Sequence, residues 1–154
     1  MMMNLSSDVI KILQGKTLAT AESCTGGGIG AALTAVSGSS AVYKGGIISY
    51  TNEVKEKLLG VPAEMLEVYG AVSSPVAQAM AEGARKTLQT DIAVSVTGLA
   101  GPGGDEYGNP VGTVFIGYTD TNKSYAKEYH FSGDREAVRL QAVQMALCAI
   151  LDNN

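Results

Sequence analysis

Ser23-Cys24-Thr25, followed at once by Gly26-Gly27-Gly28, sets two hydroxyls and a thiol beside three successive glycines. The stretch joins a short apolar run (Leu18, Ala19, Ala21) to an alanine-rich helical pattern, so it reads as a strand-to-helix turn. A helix N-terminus leaves backbone N–H groups unpaired, and glycines let another molecule approach that backbone and permit φ > 0. Such a turn either cradles a phosphate or holds a nucleophile beside an oxyanion hole. The competing explanation is a helix N-cap by Ser23 or Thr25, with glycines chosen for tight packing.

A nucleophilic serine needs a base, and His130 is the only histidine. Lys55 is the other candidate. Its helix begins at Thr51 or Asn52, both good caps. At about 100° per residue Val54, Leu58 and Leu59 define the apolar arc, with Lys55 inside it and Glu53, Glu56 and Lys57 outside. An inward lysine either lays its stem along apolar surface or, when desolvated, gives up its charge and becomes a base. Ser23 would then attack and Lys55 would take its proton, neutral through burial and nearby arginine charge. Tyr50 would relay or position that proton, and amides around Gly26 and Gly27 would receive the oxyanion. Ser-Lys pairs follow the logic of the Ser-His-Asp triad without a histidine. Cys24 is an alternative nucleophile, but its only histidine partner lies on a distant hairpin, and a thiol there also serves as buried filler.

Other groups would receive the substrate. An apolar strand over 92–96 runs into Thr97-Gly98-Leu99-Ala100-Gly101-Pro102-Gly103-Gly104, a second glycine-rich loop. Arg135 and Arg139, one turn apart, fall within the apolar arc of the last helix, where each must find a salt bridge or an anionic ligand. Cys24 and Cys148 are the only cysteines and have neither metal spacing nor a disulfide framework, so neither metal nor cofactor is expected. A net charge of −4, with no basic stretch, invites no nucleic acid. Met1-Met2-Met3-Asn4 is too short for a signal peptide and no apolar run is long enough to span a membrane, so a cytoplasmic protein is expected.

The elements that must position these groups follow from the rest of the chain. Its 154 residues, 45% hydrophobic and 17% charged, suit one globular domain over 1–154. Ser6-Ser7-Asp8 is expected to cap a first helix carrying Val9, Ile10, Ile12 and Leu13, ended by Gly15. Strands are expected over 16–22, 42–50, 92–96, 111–119 and 124–131, the last two joined by a hairpin at 120–123. Helices are expected over 25–36, from 51 or 52, over 63–69, from Pro75 to 90, and over 135–151 with Asp134 as cap. This alternation makes a three-layer α/β/α domain with a mixed, mainly parallel five-stranded sheet. Ligands of open α/β sheets bind beyond the carboxyl ends of strands, which would bring the stretches 23–28, 50–55 and 97–104 to one crevice.

Six blocks spread in order over nearly the whole chain carry a family resemblance. They are Ala21-Glu22-Ser23-Cys24-Thr25-Gly26-Gly27, Tyr50-x-Asn52-x-x-Lys55, Gly70-Ala71-Val72-Ser73, Thr97-Gly98-x-Ala100-Gly101-Pro102, Pro110-Val111-Gly112-Thr113 and Gly133-Asp134-Arg135-x-Ala137-Val138-Arg139. They resemble the CinA C-terminal domain family, the nicotinamide-nucleotide amidohydrolases. That resemblance implies a metal-independent, three-layer α/β/α enzyme, often a homodimer, which deamidates nicotinamide mononucleotide to nicotinate mononucleotide and ammonia. It implies catalytic roles for Ser23, Tyr50 and Lys55. Thr25, Gly26, Gly27, Thr97, Gly98, Gly101, Arg135 and Arg139 are then the residues expected to bind the nucleotide. Many relatives carry a pyrophosphatase-like domain ahead of this one; here the stand-alone form of the family is expected. The alternative is a non-catalytic nucleotide-binding or regulatory module that uses the two glycine loops for phosphate. An inward lysine such as Lys55 is what that alternative has no need of.

Overall fold

The computed structural model describes residues 2–154; Met1 lies outside them. Its strands are β1 (Leu18–Glu22), β2 (Tyr43–Ile48), β3 (Ile92–Gly98), β4 (Thr113–Thr119) and β5 (Ser124–His130). Its helices are α1 (Met2–Ile12), α2 (Gly28–Thr34), α3 (Asn52–Leu59), α4 (Ala63–Tyr69), α5 (Ser74–Leu88) and α6 (Arg135–Asp152). The strands form one sheet in the order β2-β1-β3-β4-β5. β1 pairs in parallel with β2 and with β3, whereas β3–β4 and β4–β5 are antiparallel. Four of the five strands therefore point the same way. The carboxyl ends of β1, β2 and β3 meet at one edge of the sheet.

Alternation along the strands divides the core. Leu18, Val94, Val96, Val114, Ile116 and Tyr118 face α1, α2 and α6. Ala19, Ala21 and Ala93 face α4 and α5. Apart from Phe115 and Ile47, the strands present small residues on this second face, which lets α5 come close. A Cβ on Gly117 would fall 2.4 Å from the Ala77 carbonyl oxygen of α5. Helices on both faces of a mixed sheet give the three layers expected.

Several boundaries differ from expectation. α1 starts at Met2 rather than at the Ser6-Ser7-Asp8 cap, because Met2 and Leu5 pack onto the core beside Val9 and carry the helix forward. α2 starts at Gly28 rather than near Thr25, because Gly26 and Gly27 have φ of 57° and 103°, outside right-handed helix space. In α3 the inner seam is Lys55 and Leu59, four residues apart, and Leu58 stands 53% exposed instead of lying in the apolar arc. The caps of α3 and α6 are as expected: Thr51 Oγ1 accepts from the Val54 amide and Asp134 Oδ1 from the Ala137 amide. Asp120 Oδ1 likewise closes the β4–β5 hairpin by accepting from the amides of Asn122 and Lys123.

Candidate active site

A cavity of about 300 Å³ opens at the shared carboxyl edge of β1, β2 and β3. Ser23 follows β1, Lys55 rises from the first turn of α3 after β2, and Thr97 and Gly98 end β3. The parallel register explains the convergence: Glu22 pairs with Ile48 on one side and Val96 on the other, so residues just past each lie side by side.

Lys55 Nζ lies 3.0 Å from Ser23 Oγ and donates a 2.7 Å hydrogen bond to the Ser49 carbonyl. The residue is 1% exposed. Burial pulls its pKa from the ordinary 10.5 down to about 8, because an ammonium is poorly solvated there. No arginine contributes to that shift; the nearest opposing influence is Cys24. Burial pushes the Cys24 thiol up to about 11, so near neutral pH it holds its proton. In a neutral amine, the N–H given to Ser49 leaves the nitrogen lone pair free to face the serine hydroxyl.

Tyr50 and Arg135 stand at the rim. Tyr50 is 61% exposed, and its hydroxyl accepts from Arg135 Nη2 at 3.2 Å; it has no hydrogen bond to Ser23 or Lys55. Arg135 Nη1 donates to the Gly101 carbonyl at 2.7 Å. This arginine lies at the exposed cavity mouth rather than turned into the apolar arc, because it sits in the first turn of α6, beyond the sheet edge. Thr97 Oγ1 donates to the Ala71 carbonyl at 2.9 Å, tying the end of β3 to the α4–α5 connection. Gly98 and Gly101 line the cavity with Leu99 and Ala100.

Thr25, Gly26, Gly27 and Arg139 do not line it. The Arg139 side chain is used up by the turn that follows Ser23: Nε donates to the Cys24 carbonyl at 2.9 Å and Nη2 to the Thr25 carbonyl at 3.3 Å. The Gly26 amide closes the turn onto the Ser23 carbonyl. A Cβ at Gly26 or Gly27 would meet Arg139 or Ile48, so both glycines face the protein rather than the cavity. Neither Arg135 nor Arg139 forms a salt bridge among the described residues.

The N-terminus of α2 is occupied as well. Glu22, 2% exposed, accepts from Thr25 Oγ1 (2.7 Å) and the Ile29 amide (2.9 Å) at Oε1, and from the Gly30 amide (3.0 Å) at Oε2. Those are the donors that a bound anion would have used, so the expected anion pocket at this helix is filled by the protein's own carboxylate. Among the described residues no protein oxygen accepts from the amide of Cys24, which follows Ser23 and lines the cavity.

Sequence reasoning passed over three of these groups. Asn52 borders the cavity and was legible as part of the Tyr50-to-Lys55 block. Glu22 was legible as part of the first block and as an acidic residue ending an apolar strand, but neither showed what it binds. The Ser49 carbonyl is a backbone group and carries no sequence signal.

A sequence model described as the CinA C-terminal domain matches residues 3–153. The chain belongs to the CinA C-terminal domain family. A CinA-like protein of Parasynechococcus marenigrum is 52% identical over 151 residues, covering 97% of this chain and 36% of that protein. A CinA-like protein of Geobacter sulfurreducens is 49% identical over 134 residues, covering 87% of this chain and 32% of that one. The chain thus spans about a third of the length of these CinA-like relatives. Among solved structures, a competence-damaged protein (CinA) superfamily protein from Escherichia coli superposes with a TM-score of 0.98 at 38% identity, over 100% of this chain and 91% of that one. A competence/damage inducible protein, CihA, from Agrobacterium tumefaciens gives 0.94 at 39% identity, over 98% and 94%. No helix among the described residues is long and apolar enough to cross a membrane.

Proposed function

We propose that the chain is an amidohydrolase that deamidates nicotinamide mononucleotide by an acyl-enzyme mechanism. The observation that carries this reading is the Ser23–Lys55 pair: a hydroxyl 3.0 Å from a buried amine whose pKa is brought to about 8. A binding module has no use for a lysine held so far from water.

The steps follow from that pair. Neutral Lys55 takes the Ser23 proton as Oγ attacks the carboxamide carbon, and the carbonyl electrons move onto oxygen. The Cys24 amide, from which no protein oxygen accepts among the described residues, follows Ser23 directly in the chain and can receive that oxyanion. Lys55 then returns the proton to the amide nitrogen, the C–N bond breaks, and ammonia leaves a Ser23 ester. Water attacks the ester with Lys55 again as base, releasing the carboxylate and restoring the serine. Tyr50 and Arg135 act at the mouth, where Arg135 meets the substrate phosphate. Ala71, Val72, Leu99 and Ala100 offer an apolar wall for the pyridine ring. The choice of nicotinamide mononucleotide is what the resemblance implies.

Incubation of the purified protein with nicotinamide mononucleotide tests the reading. Equal amounts of ammonia and nicotinate mononucleotide are expected. Stoichiometric binding of the nucleotide without either product would instead support the binding module.

A further inference from the structure

The turn that carries Ser23 is not a self-supporting loop. Four of its features are on view: Ser23 N–H is tied to the Val96 carbonyl, Gly26 N–H to the Ser23 carbonyl, Arg139 to two carbonyls, and Thr25 Oγ1 to Glu22. Glu22 is the part without an obvious reason. A carboxyl side chain is costly to bury, and among the described residues no basic side chain pairs with this one. What it has is three donors from two segments: the Thr25 hydroxyl within the turn, and the amides of Ile29 and Gly30 in the first turn of α2. It thereby fixes the distance between the end of β1 and the start of α2, and the Ser23-to-Gly27 turn must fit between them. Ser23 is the residue next to Glu22 along the chain. The same residue anchors the Lys55 side as well, since the Glu22 carbonyl accepts from the Ser49 amide at 2.7 Å and Ser49 in turn receives Lys55.

We propose that Glu22 is a positioning residue for Ser23: its side chain holds the nucleophile turn in the place where Ser23 Oγ faces Lys55 Nζ. This deepens, and rests on, the amidohydrolase reading. Glu22 touches no substrate and does not line the cavity. Its loss therefore acts on the chemical step and spares binding. Glu22→Gln keeps the shape and one acceptor but sets an NH2 group against the amide or hydroxyl donors, which opens the turn. Thr25→Ala removes a single bond in the same set, and Thr25→Ser restores it.

The experiment reads two things in folded protein, judged by thermal denaturation. The first is kcat and KM for nicotinamide mononucleotide. The second, independent of any assumed substrate, is the rate at which a fluorophosphonate labels Ser23, followed by intact mass and peptide mapping. In that labelling the Ser23 oxygen bonds to phosphorus, fluoride leaves with its electron pair, and the hydroxyl proton passes through Lys55 to solvent. Glu22→Gln should lower kcat and the labelling rate together, by about tenfold or more, with KM changed less than about threefold. Thr25→Ala should lower both by a smaller factor and Thr25→Ser should recover most of it. A Glu22→Gln protein that labels and turns over like the wild type would overturn the proposal. So would a loss confined to KM, or a Thr25→Ser protein no better than Thr25→Ala. Should the wild type label at Ser23 without deamidating the nucleotide, the amidase reading fails while the labelling rates still decide the role of Glu22. A wild type that does not label at Ser23 overturns both.

Discussion

Both ends of the sheet carry a cavity, of about 300 Å³ at the carboxyl ends of β1, β2 and β3 and about 350 Å³ at the opposite end. Lysines stand in both. At the far end Lys16 Nζ donates to Asn154 and Lys123 Nζ to Asn153, both at exposed positions, while Asp91 and Asp120 are engaged by the backbone of Thr17 and of the hairpin. Every charge there remains in water or closes a local turn. At the near end Lys55 is withdrawn from water and given one carbonyl and one hydroxyl. The difference lies in solvation, not in residue type. A lysine becomes a base where the fold makes its charge expensive.

The contrast can be broken by substitution, and the largest effect is expected at the nucleophile. Ser23→Ala should abolish deamidation, by about 10⁴-fold or more, while the protein stays folded and binds the nucleotide, as equilibrium binding and turnover measured together would reveal. Cys24→Ala should keep substantial turnover, because its thiol holds a proton near neutral pH. An inactive Cys24→Ala protein beside an active Ser23→Ala protein would reverse the assignment.

The pH profile sharpens the same contrast. With a pKa of about 8, Lys55 is neutral in only about a tenth of molecules at pH 7, so kcat/KM should rise nearly tenfold per pH unit below 8 and level off above it. A profile flat from pH 6 to 9 would exclude Lys55 as the titrating base. Stability responds in a defined direction. Because the folded pKa lies below the ordinary 10.5, the unfolded chain binds the proton more tightly, and the folded state carries the full burden of a buried ammonium below about pH 8. The burden, roughly 3 kcal/mol, is relieved as pH rises from 8 toward 10.5, so this group alone makes the protein more stable over that window.

The two arginines should separate. Arg135→Ala removes a guanidinium at the cavity mouth and should raise KM about tenfold for nicotinamide mononucleotide and less for nicotinamide riboside, which has no phosphate. Arg139→Ala frees the Cys24 and Thr25 carbonyls and should lower kcat for both substrates alike. A selective KM effect from Arg139 instead would return it to substrate binding. The smallest effects belong to the controls. Lys57→Met, whose side chain pairs with Glu53 on the surface, and Lys16→Met should leave rate and stability within measurement error.

What the sequence made legible was local and periodic. The phase of Lys55 against Leu59, the Thr51 and Asp134 caps, and the buried face of α6 through Val138, Ala142, Val143, Ala146 and Ile150 all depend on residues within a single helix or its cap. The blocks that end β1, β2 and β3 were visible for the same reason. What stayed hidden depends on contacts across the chain. Arg139 reaches carbonyls more than a hundred positions away, and Glu22 caps a helix that begins six residues later without the usual capping spacing. Lys55 is oriented by the Ser49 carbonyl, which any residue at that position would supply. Leu58 fell outside the core because the seam of a two-turn helix is too narrow to bury both Leu58 and Leu59.

The most direct measurement compares the wild type with Lys55→Met on nicotinamide mononucleotide at pH 8.5 (roughly half a unit above the midpoint expected for this lysine), following ammonia release and thermal denaturation together. Methionine is similar in length, and relief of the buried charge offsets the lost hydrogen bonds to Ser23 and Ser49, so Tm should move by no more than about 5 °C. Ammonia is expected from the wild type and none above background from the folded variant. A Lys55→Met protein releasing ammonia at the wild-type rate would contradict the role of Lys55 as base.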